Sequence, residues 1–382
     1  MSYVKEIRRE LHMYPEVGFD LDKTLALLRR ELENIGVEYT EKYGKNSIVA
    51  TVNPEKNRYT IAIRADMDAL PIEEKNDLPY KSKNKGMMHA CGHDAHTAIA
   101  LGALRRINEM RDKIDCRVVF LFQPAEEYRI SGARLMAEDG VMDGIDCIVA
   151  LHVSPDLDVG RINIVDGDRN AISNGFELNF YGKSAHAALR GDGIDAILMA
   201  ARAYDKLISE ITDEKIGERV IFNVGRISGG VTNNIVCDEC KMFATLRSFS
   251  DDKAQMTLEK IDSICTEIAS ALGGRFERVT VKHYPKVYND PEVAGAIRRC
   301  AVQLLGKENV GEECRGLGGE DFSYFANIKP GAMFRLGVRN EEKGIVMGLH
   351  NDRFDLDEDA LETGVEMFVR FVLENMNGYK NV

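Results

Sequence analysis

The segment MMHACGHDAHTA, Met87 to Ala98, gathers three of the chain's eight histidines (His89, His93 and His96) around Cys91 and Asp94. Histidine is scarce elsewhere, so the crowding asks for chemistry. Cys91 and His93 offer a thiolate and an imidazole two residues apart. Gly92 between them lets the backbone fold so that both face one metal ion. The same pair also suits a cysteine nucleophile activated by an imidazole. A third reading is a small buried thiol beside a helix whose N-cap is Asp94. His89 and His96 take no defined role on these grounds and are read as structural or as supporting a ligand.

The choice depends on what the rest of the chain can deliver. FQPAEE follows an apolar run and ends in Glu126 and Glu127. Two carboxylates in one place can divide the work, one holding a metal and the other staying free as a general base. His152 closes the apolar run of CIVALHV, His350 lies in MGLHNDRF, and Asp66 and Asp68 close YTIAIRADMD. Each alone is more often structural. Together, at comparable positions, they favour a metal centre.

Buried strands and their helices must position these groups. Leu25, Leu28, Leu32 and Ile35 form one helix face, closed by Gly36. YTIAIRAD, CRVVFLFQP and CIVALHV read as buried strands, and HTAIALGALRRINEM as a helix between the first two. The alternation predicts an α/β fold: a mostly parallel-sheet domain with helices on both faces and ligands at the strands' carboxyl ends. From Phe176 the texture changes to four strands and two helices: FELNFYG, DAILMAARAYDKLISEI, Val220–Ile227, Lys241–Arg247, Ala254–Leu272 and RFERVTVKHY. That order predicts an inserted ferredoxin-like α+β domain. The expected divisions are 1–175 and 289–382 for the main domain and 176–288 for the insertion.

Composition narrows the partners. The 382 residues are 44% hydrophobic with a formal net charge of -12, which disfavours nucleic acid or an anionic membrane and favours small molecules. The N-terminal MSYVKEIRREL reads as a charged amphipathic helix and not a signal peptide, and no apolar run reaches membrane-spanning length. Eight scattered cysteines without a leader fit reduced thiols in a cytoplasmic protein.

In order, RRELHMYPEVGFD, IRADMDALPI, MHACGHDAHTA, FQPAEE, ALHV, GKSAHAA, GGEDFSYF and LHNDRFDLDEDAL resemble the motifs of one family over nearly the whole chain. It is the amidohydrolase branch of the aminoacylase–carboxypeptidase metallopeptidases, with its N-acyl-amino-acid amidohydrolases, hippurate hydrolases and auxin-conjugate hydrolases. The resemblance implies that Cys91, His93, Glu127, His152 and His350 bind two divalent metal ions per subunit. Zinc or manganese would serve, with cobalt or nickel as alternatives. Glu126 would be the general base and Asp68 would orient a ligand from behind. One thiolate and one carboxylate leave two such ions a net charge near +2, suited to a bridging hydroxide and a developing oxyanion.

The implied substrate is an N-acyl amino acid or a dipeptide-like conjugate, cleaved at its amide bond. The inserted block would be the lid and dimerisation domain of a homodimer. There His186 of GKSAHAA would cross to the partner's site as a catalytic and substrate-binding residue, and Asn234 of VTNNIV would bind the substrate carboxylate. Arg190 and Gly191 stand where the family often has Pro-His, and Cys237 where proline is common; these departures bear on substrate preference and loop shape. Cys237 and Cys240 could form a redox or zinc pair, but no second pair accompanies them.

Three rival readings are weaker. A cysteine hydrolase leaves Glu126, Glu127, His152 and His350 without work. A metal-stabilised binding protein has no use for a spare base at Glu126. A zinc deaminase requires a His-x-Glu with Pro-Cys-x-x-Cys pattern that the sequence lacks.

Overall fold

The computed structural model describes residues 2–312 and 315–379. They fall into two units: one of Met1–Arg169, Val287–Arg315 and Glu320–Val382, the other of Asn170–Lys286 and Gly316–Gly319. In chain order, the strands are β1 (Glu38–Thr40), β2 (Ile48–Val52), β3 (Thr60–Asp66), β4 (Arg117–Gln123), β5 (Cys147–Asp158), β6 (Ile162–Asn163) and β7 (Gly167–Asn170). Next come β8 (Ile172–Tyr181), β9 (Val220–Gly229), β10 (Glu239–Ser248) and β11 (Arg275–Tyr284). The chain then adds β12 (Val287–Asn289), β13 (Val310–Gly311) and β14 (Gly331–Arg339).

The first unit is built on an eight-stranded sheet in the order β1-β2-β4-β3-β5-β14-β6-β13. Its centre is parallel: β3 pairs in parallel with β4 and β5, and β5 with β14. Antiparallel pairs flank it at β1–β2, β2–β4 and β14–β6. Every residue of β3 is buried, because both sheet faces are covered. Ile61, Ile63 and Ala65 pack with apolar residues of the helices Tyr3–Met13, Asp22–Ile35, His93–Glu109 and Ala360–Asn375. Ala62 turns the other way, towards Ala133, Met136, Phe322 and Phe325. This is the mostly parallel α/β sheet that the buried runs predict.

The inserted unit is a four-stranded antiparallel sheet in the order β11-β8-β10-β9. Its helices, Ala196–Glu210 and Asp251–Ala271, follow β8 and β10, which gives the expected ferredoxin-like arrangement. Along β10, Cys240, Met242, Ala244 and Leu246 alternate into a core with Met199, Leu207, Ile261 and Cys265. Strand β9 lies at the sheet's edge.

The unit borders differ from those read in the sequence. The insertion begins at Asn170 rather than 176, because β8 already pairs at Ile172 with Ser248 of β10. It ends at Lys286, and Gly316–Gly319 also belong to it: Asn170 donates a side-chain hydrogen bond to the Gly318 carbonyl at 2.9 Å. The second main-domain segment is therefore interrupted, which the sequence reading did not foresee. Every described cysteine is a free thiol, while Cys314 lies outside the described residues. Among the described residues no helix is long and apolar enough to cross a membrane.

Candidate metal centre

Strand β3 lies between β4 and β5, and the carboxyl ends of these three strands deliver most of the chemistry. Asp66 ends β3, with Asp68 two residues on, and Glu126 and Glu127 follow β4 across Pro124 and Ala125. His152 does not end its strand, as the sequence suggested, because β5 continues to Asp158. What ends there is its pairing with β3, at Ala150. Beyond that point the β3 side of β5 is open to side chains.

The remaining groups come from two loops. The segment before the helix His93–Glu109 carries Cys91, and the helix is capped by Gly92 rather than Asp94. Gly92 has φ 83°, and a Cβ there would stand 2.4 Å from Val153 Cγ2, so only glycine fits. Asp94 instead accepts Arg8 Nε–H at 2.8 Å and lies 2.7 Å from His12 Nδ1, tying the N-terminal helix to this loop. His350 has φ 61°, and its amide donates to the Ala90 carbonyl at 2.8 Å. Ala125, just before the glutamate pair, has φ 57°. Left-handed backbone at non-glycine residues costs energy and persists where the surroundings enforce it. Here it aims His350 and the two glutamates.

These segments bring the candidate ligands together in overlapping trios. The donor atoms of Cys91, His93 and His152 lie within 4.8 Å of one another, as do those of Cys91, Glu127 and His350. So do those of His93, Glu126 and Glu127. Cys91 Sγ is 3.6 Å from His152 Nε2, and His350 Nε2 is 2.9 Å from Glu127 Oε1.

Hydrogen bonds from behind orient the imidazoles. His93 Nδ1 is 2.8 Å from the Asp68 carbonyl oxygen and donates to it, which turns Nε2 towards the other candidate donors. That Nε2 is buried with no hydrogen-bond partner. His152 Nδ1 donates to the Val153 carbonyl at 2.7 Å, leaving its Nε2 towards Cys91. An unpartnered buried imidazole nitrogen beside a thiol and carboxylates is a setting that a divalent cation satisfies, displacing any proton held there. The donor set therefore fits a metal centre. The Asp68 carboxylate meanwhile accepts the amides of Glu126 and Glu127, at 2.9 and 3.1 Å.

The electrostatics separate the two glutamates. Burial pushes the Glu126 carboxyl well up, helped by the charges of Glu320, Glu127 and Asp321. Burial also raises Glu127, but the hydrogen bond with His350 and the charge of His93 outweigh it and hold Glu127 low. Burial, with Glu127 adding to it, pushes the Cys91 thiol well up. Burial pushes His152 down, and His96 adds to that.

Sequence reasoning missed a buried ionic group beside Glu126. Arg64 donates to Asp66 at 2.7 Å, to Asp321 at 2.8 Å and to Gln123 at 2.7 Å, and lies 3.1 Å from Glu320. The carboxylate oxygens of Glu126, Glu320 and Asp321 lie within 4.8 Å of one another. The available signal was a charged residue inside the apolar run YTIAIRAD, which demands buried partners. His89 is buried, its ring centroid 6.3 Å from that of His12.

All five expected metal ligands, with Glu126 and Asp68, belong to the first unit; His186 and Asn234 belong to the insertion. These two are exposed and adjoin each other. The Ala187 amide donates to the Asn234 carbonyl at 3.0 Å, and His186 bridges to Ile235. Arg190 pairs with Asp195 at 3.0 Å, and the Cys237 thiol donates to the Glu239 carbonyl.

A mostly parallel sheet beside whose strand ends thiol, imidazole and carboxylate donors converge is the arrangement of a metal-binding α/β enzyme. The chain belongs to Peptidase family M20/M25/M40, whose sequence profile matches residues 62–374. It is 34% identical over 368 residues to thermostable carboxypeptidase 1 of Saccharolobus solfataricus, covering 95% of this chain and 93% of that one. It is also 34% identical over 358 residues to the N-acetyl-L-cysteine deacetylase of Bacillus subtilis, covering 93% and 84%. The crystal structure of the Bacillus subtilis YXEP protein, described as a dinuclear metal binding peptidase of the M20 family, superposes with a TM-score of 0.82. That match has 31% identity over 97% of both chains. The protein is thus a hydrolase acting on amide bonds.

Proposed function

We propose that this chain is a two-metal amidohydrolase that cleaves the amide bond of N-acyl amino acids or small peptide-like conjugates. The observation that carries the reading is the convergence of Cys91, His93, Glu127, His152 and His350, more donors than one tetrahedral ion takes, with Glu126 beside them. Divalent zinc, manganese, cobalt or nickel would supply Lewis acidity to the scissile carbonyl and the attacking water. His93 and His152 would bind through Nε2, since each Nδ1 is engaged with a backbone carbonyl.

Glu126 is the general base. Its carboxylate takes a proton from the water and passes it to the leaving amine nitrogen. Burial and the carboxylates around it push the Glu126 carboxyl up when no ion is near, and bound divalent ions would draw it back towards the carboxylate that a base requires. Asp68 fixes the amides of both glutamates, so that one can face the ions while the other faces the substrate. The names of the two curated relatives, a carboxypeptidase and an N-acetyl-L-cysteine deacetylase, support a substrate with an amino acid on one side of the bond.

In the inserted unit, His186 stabilises the oxyanion and Asn234 binds the substrate carboxylate. The edge strand β9 with exposed Ile227, and exposed Val231 and Ile235 beyond it, support a homodimer in which His186 serves the partner's site. Free thiols fit a reducing cytoplasm. The cysteine-hydrolase reading is disfavoured, because it leaves Glu126, Glu127, His152 and His350 without work although their donor atoms gather around the thiol and His93.

Chelation tests the reading. Purified protein should hold about two divalent ions, lose amidase activity to a chelator and regain it on metal addition. Cys91→Ser should weaken metal binding and shift preference towards harder ions. Full activity in protein shown by elemental analysis to be metal-free would end the proposal, and an acyl-thioester trapped on Cys91 would restore the cysteine hydrolase.

A further inference from the structure

We infer that His96 and Asp66 are positioning residues for His152, acting through the backbone of Val153. The inference rests on the reading of His152 as a metal ligand. Pairing between β3 and β5 stops at Ala150, so the β3 side of β5 has no strand partner at Val153. His96, from the first turn of the helix His93–Glu109, takes that place: the Val153 amide donates to His96 Nε2 at 2.9 Å. A nitrogen that accepts must carry a lone pair, so the His96 proton sits on Nδ1. There it meets the Asp66 carboxylate at 2.6 Å. The other Asp66 oxygen is held by Arg64 at 2.7 Å. The His96 tautomer is thus set from both sides of the ring.

Val153 passes this constraint forward. Its carbonyl accepts the Nδ1 proton of His152 at 2.7 Å, which fixes the ring with Nε2 facing Cys91. Its side chain fills the space over Gly92 that any Cβ would need. The amide of this one residue therefore ties β5 to the helix, its carbonyl holds the neighbouring imidazole, and its side chain packs on the loop that carries Cys91. The chain of contacts runs carboxylate, imidazole, backbone, imidazole, ligand atom. It also assigns the trio Asp66, His93 and His96, whose donors come within 4.8 Å of one another. Asp66 and His96 are engaged with each other, with Arg64 and with Val153, so they orient ligands rather than bind an ion.

Two substitutions separate positioning from core filling. In His96→Gln the amide oxygen can reach the Nε2 position and keep the Val153 bond. In His96→Asn the amide can keep the Asp66 bond but falls short of Val153. Zinc affinity of the full-length protein is measured by competition with a chromogenic chelator, alongside the thiolate-to-cobalt charge-transfer band and the Tm of the metal-free protein. His96→Asn should weaken zinc binding about ten- to hundredfold, as loss of an outer hydrogen-bond partner does, and alter the cobalt band. His96→Gln should stay close to wild type. Equal behaviour of the two variants, or losses that simply follow Tm, would overturn the inference while leaving the metal reading intact. A wild type that binds none of zinc, manganese, cobalt and nickel would overturn both. Nitrogen-15 shifts of wild-type histidines give a mutation-free check: His96 should be protonated at Nδ1, and protonation at Nε2 would refute the chain of contacts.

Discussion

The strand ends of the first unit and the loops of the inserted unit hold their functional candidates in opposite ways. Cys91, His93 and Glu126 are buried and braced from behind, the histidine by the Asp68 carbonyl and the glutamate amides by the Asp68 carboxylate. His186, which caps the 3-10 helix Ala187–Asp192, and Asn234, in a turn, stand exposed. Braced groups keep one geometry without a ligand, and the cost is already met by the fold as buried ionic contacts and left-handed backbone at Ala125 and His350. The exposed pair is held only by its own loops, His186 Nδ1 accepting the Ala188 amide and Asn234 Oδ1 accepting the Thr232 hydroxyl, each at 3.1 Å, and such local contacts restrain a side chain less than burial does. The difference teaches where to test the proposed partner of each region: an ion at the braced groups, substrate or a second subunit at the exposed ones.

The sharpest way to break this comparison lies inside the braced site. Glu126→Gln should keep its metal and substrate binding yet lose on the order of a hundredfold or more in kcat, the loss of a general base. Glu127→Gln should lose metal instead. Metal analysis with kinetics on both variants decides, and the opposite pattern would exchange the two roles.

A smaller effect addresses the exposed region. His186→Ala and Glu126→Gln subunits, each nearly inactive, should together recover roughly a quarter of wild-type activity after random 1:1 exchange, since half the dimers are mixed and carry one intact site. No recovery after verified exchange would confine His186 to its own chain.

The smallest effect sharpens the edge of the insertion. Ile227 on β9 is 49% exposed, so Ile227→Lys should leave the fold intact. It should weaken self-association by about tenfold, a typical loss for a truncated interface contact above 1 kcal/mol. Sedimentation at several concentrations measures it, and an unchanged association constant would move the interface away from β9.

What the sequence made legible follows from how local each signal is. The buried run of β3 and the alternation of β10 are local patterns, and both strands lie where those patterns put them. The convergence of Cys91, Glu127 and His350 was legible only through ordered motifs, because no periodicity links a helix cap, a strand end and a distant loop. The alternative of Asp94 as a cap stays open in the sequence, because its partners, Arg8 and His12, come from the N-terminal helix. His96 looked idle because its function is a bond to the backbone of Val153, and a main-chain acceptor or donor leaves no mark in a residue pattern. The Gly316–Gly319 excursion was hidden for a related reason: its tie to Asn170 runs through the Gly318 carbonyl.

The position of β14 carries a consequence for biosynthesis. It pairs with β5 in the middle of the first unit's sheet, yet the ribosome makes it only after the entire insertion. Residues 1–169 therefore emerge with the β14 side of β5 bare, and with four of the five proposed metal ligands but not His350. Domains generally fold as units during synthesis, and long-range strand pairing is slow and exposes open edges. The insertion, a contiguous run but for four glycine-rich residues, can fold while the first sheet waits. A nascent chain would carry the proposed metal ligands as an incomplete set through the synthesis of the insertion, and the set would close only when the residues after it arrive.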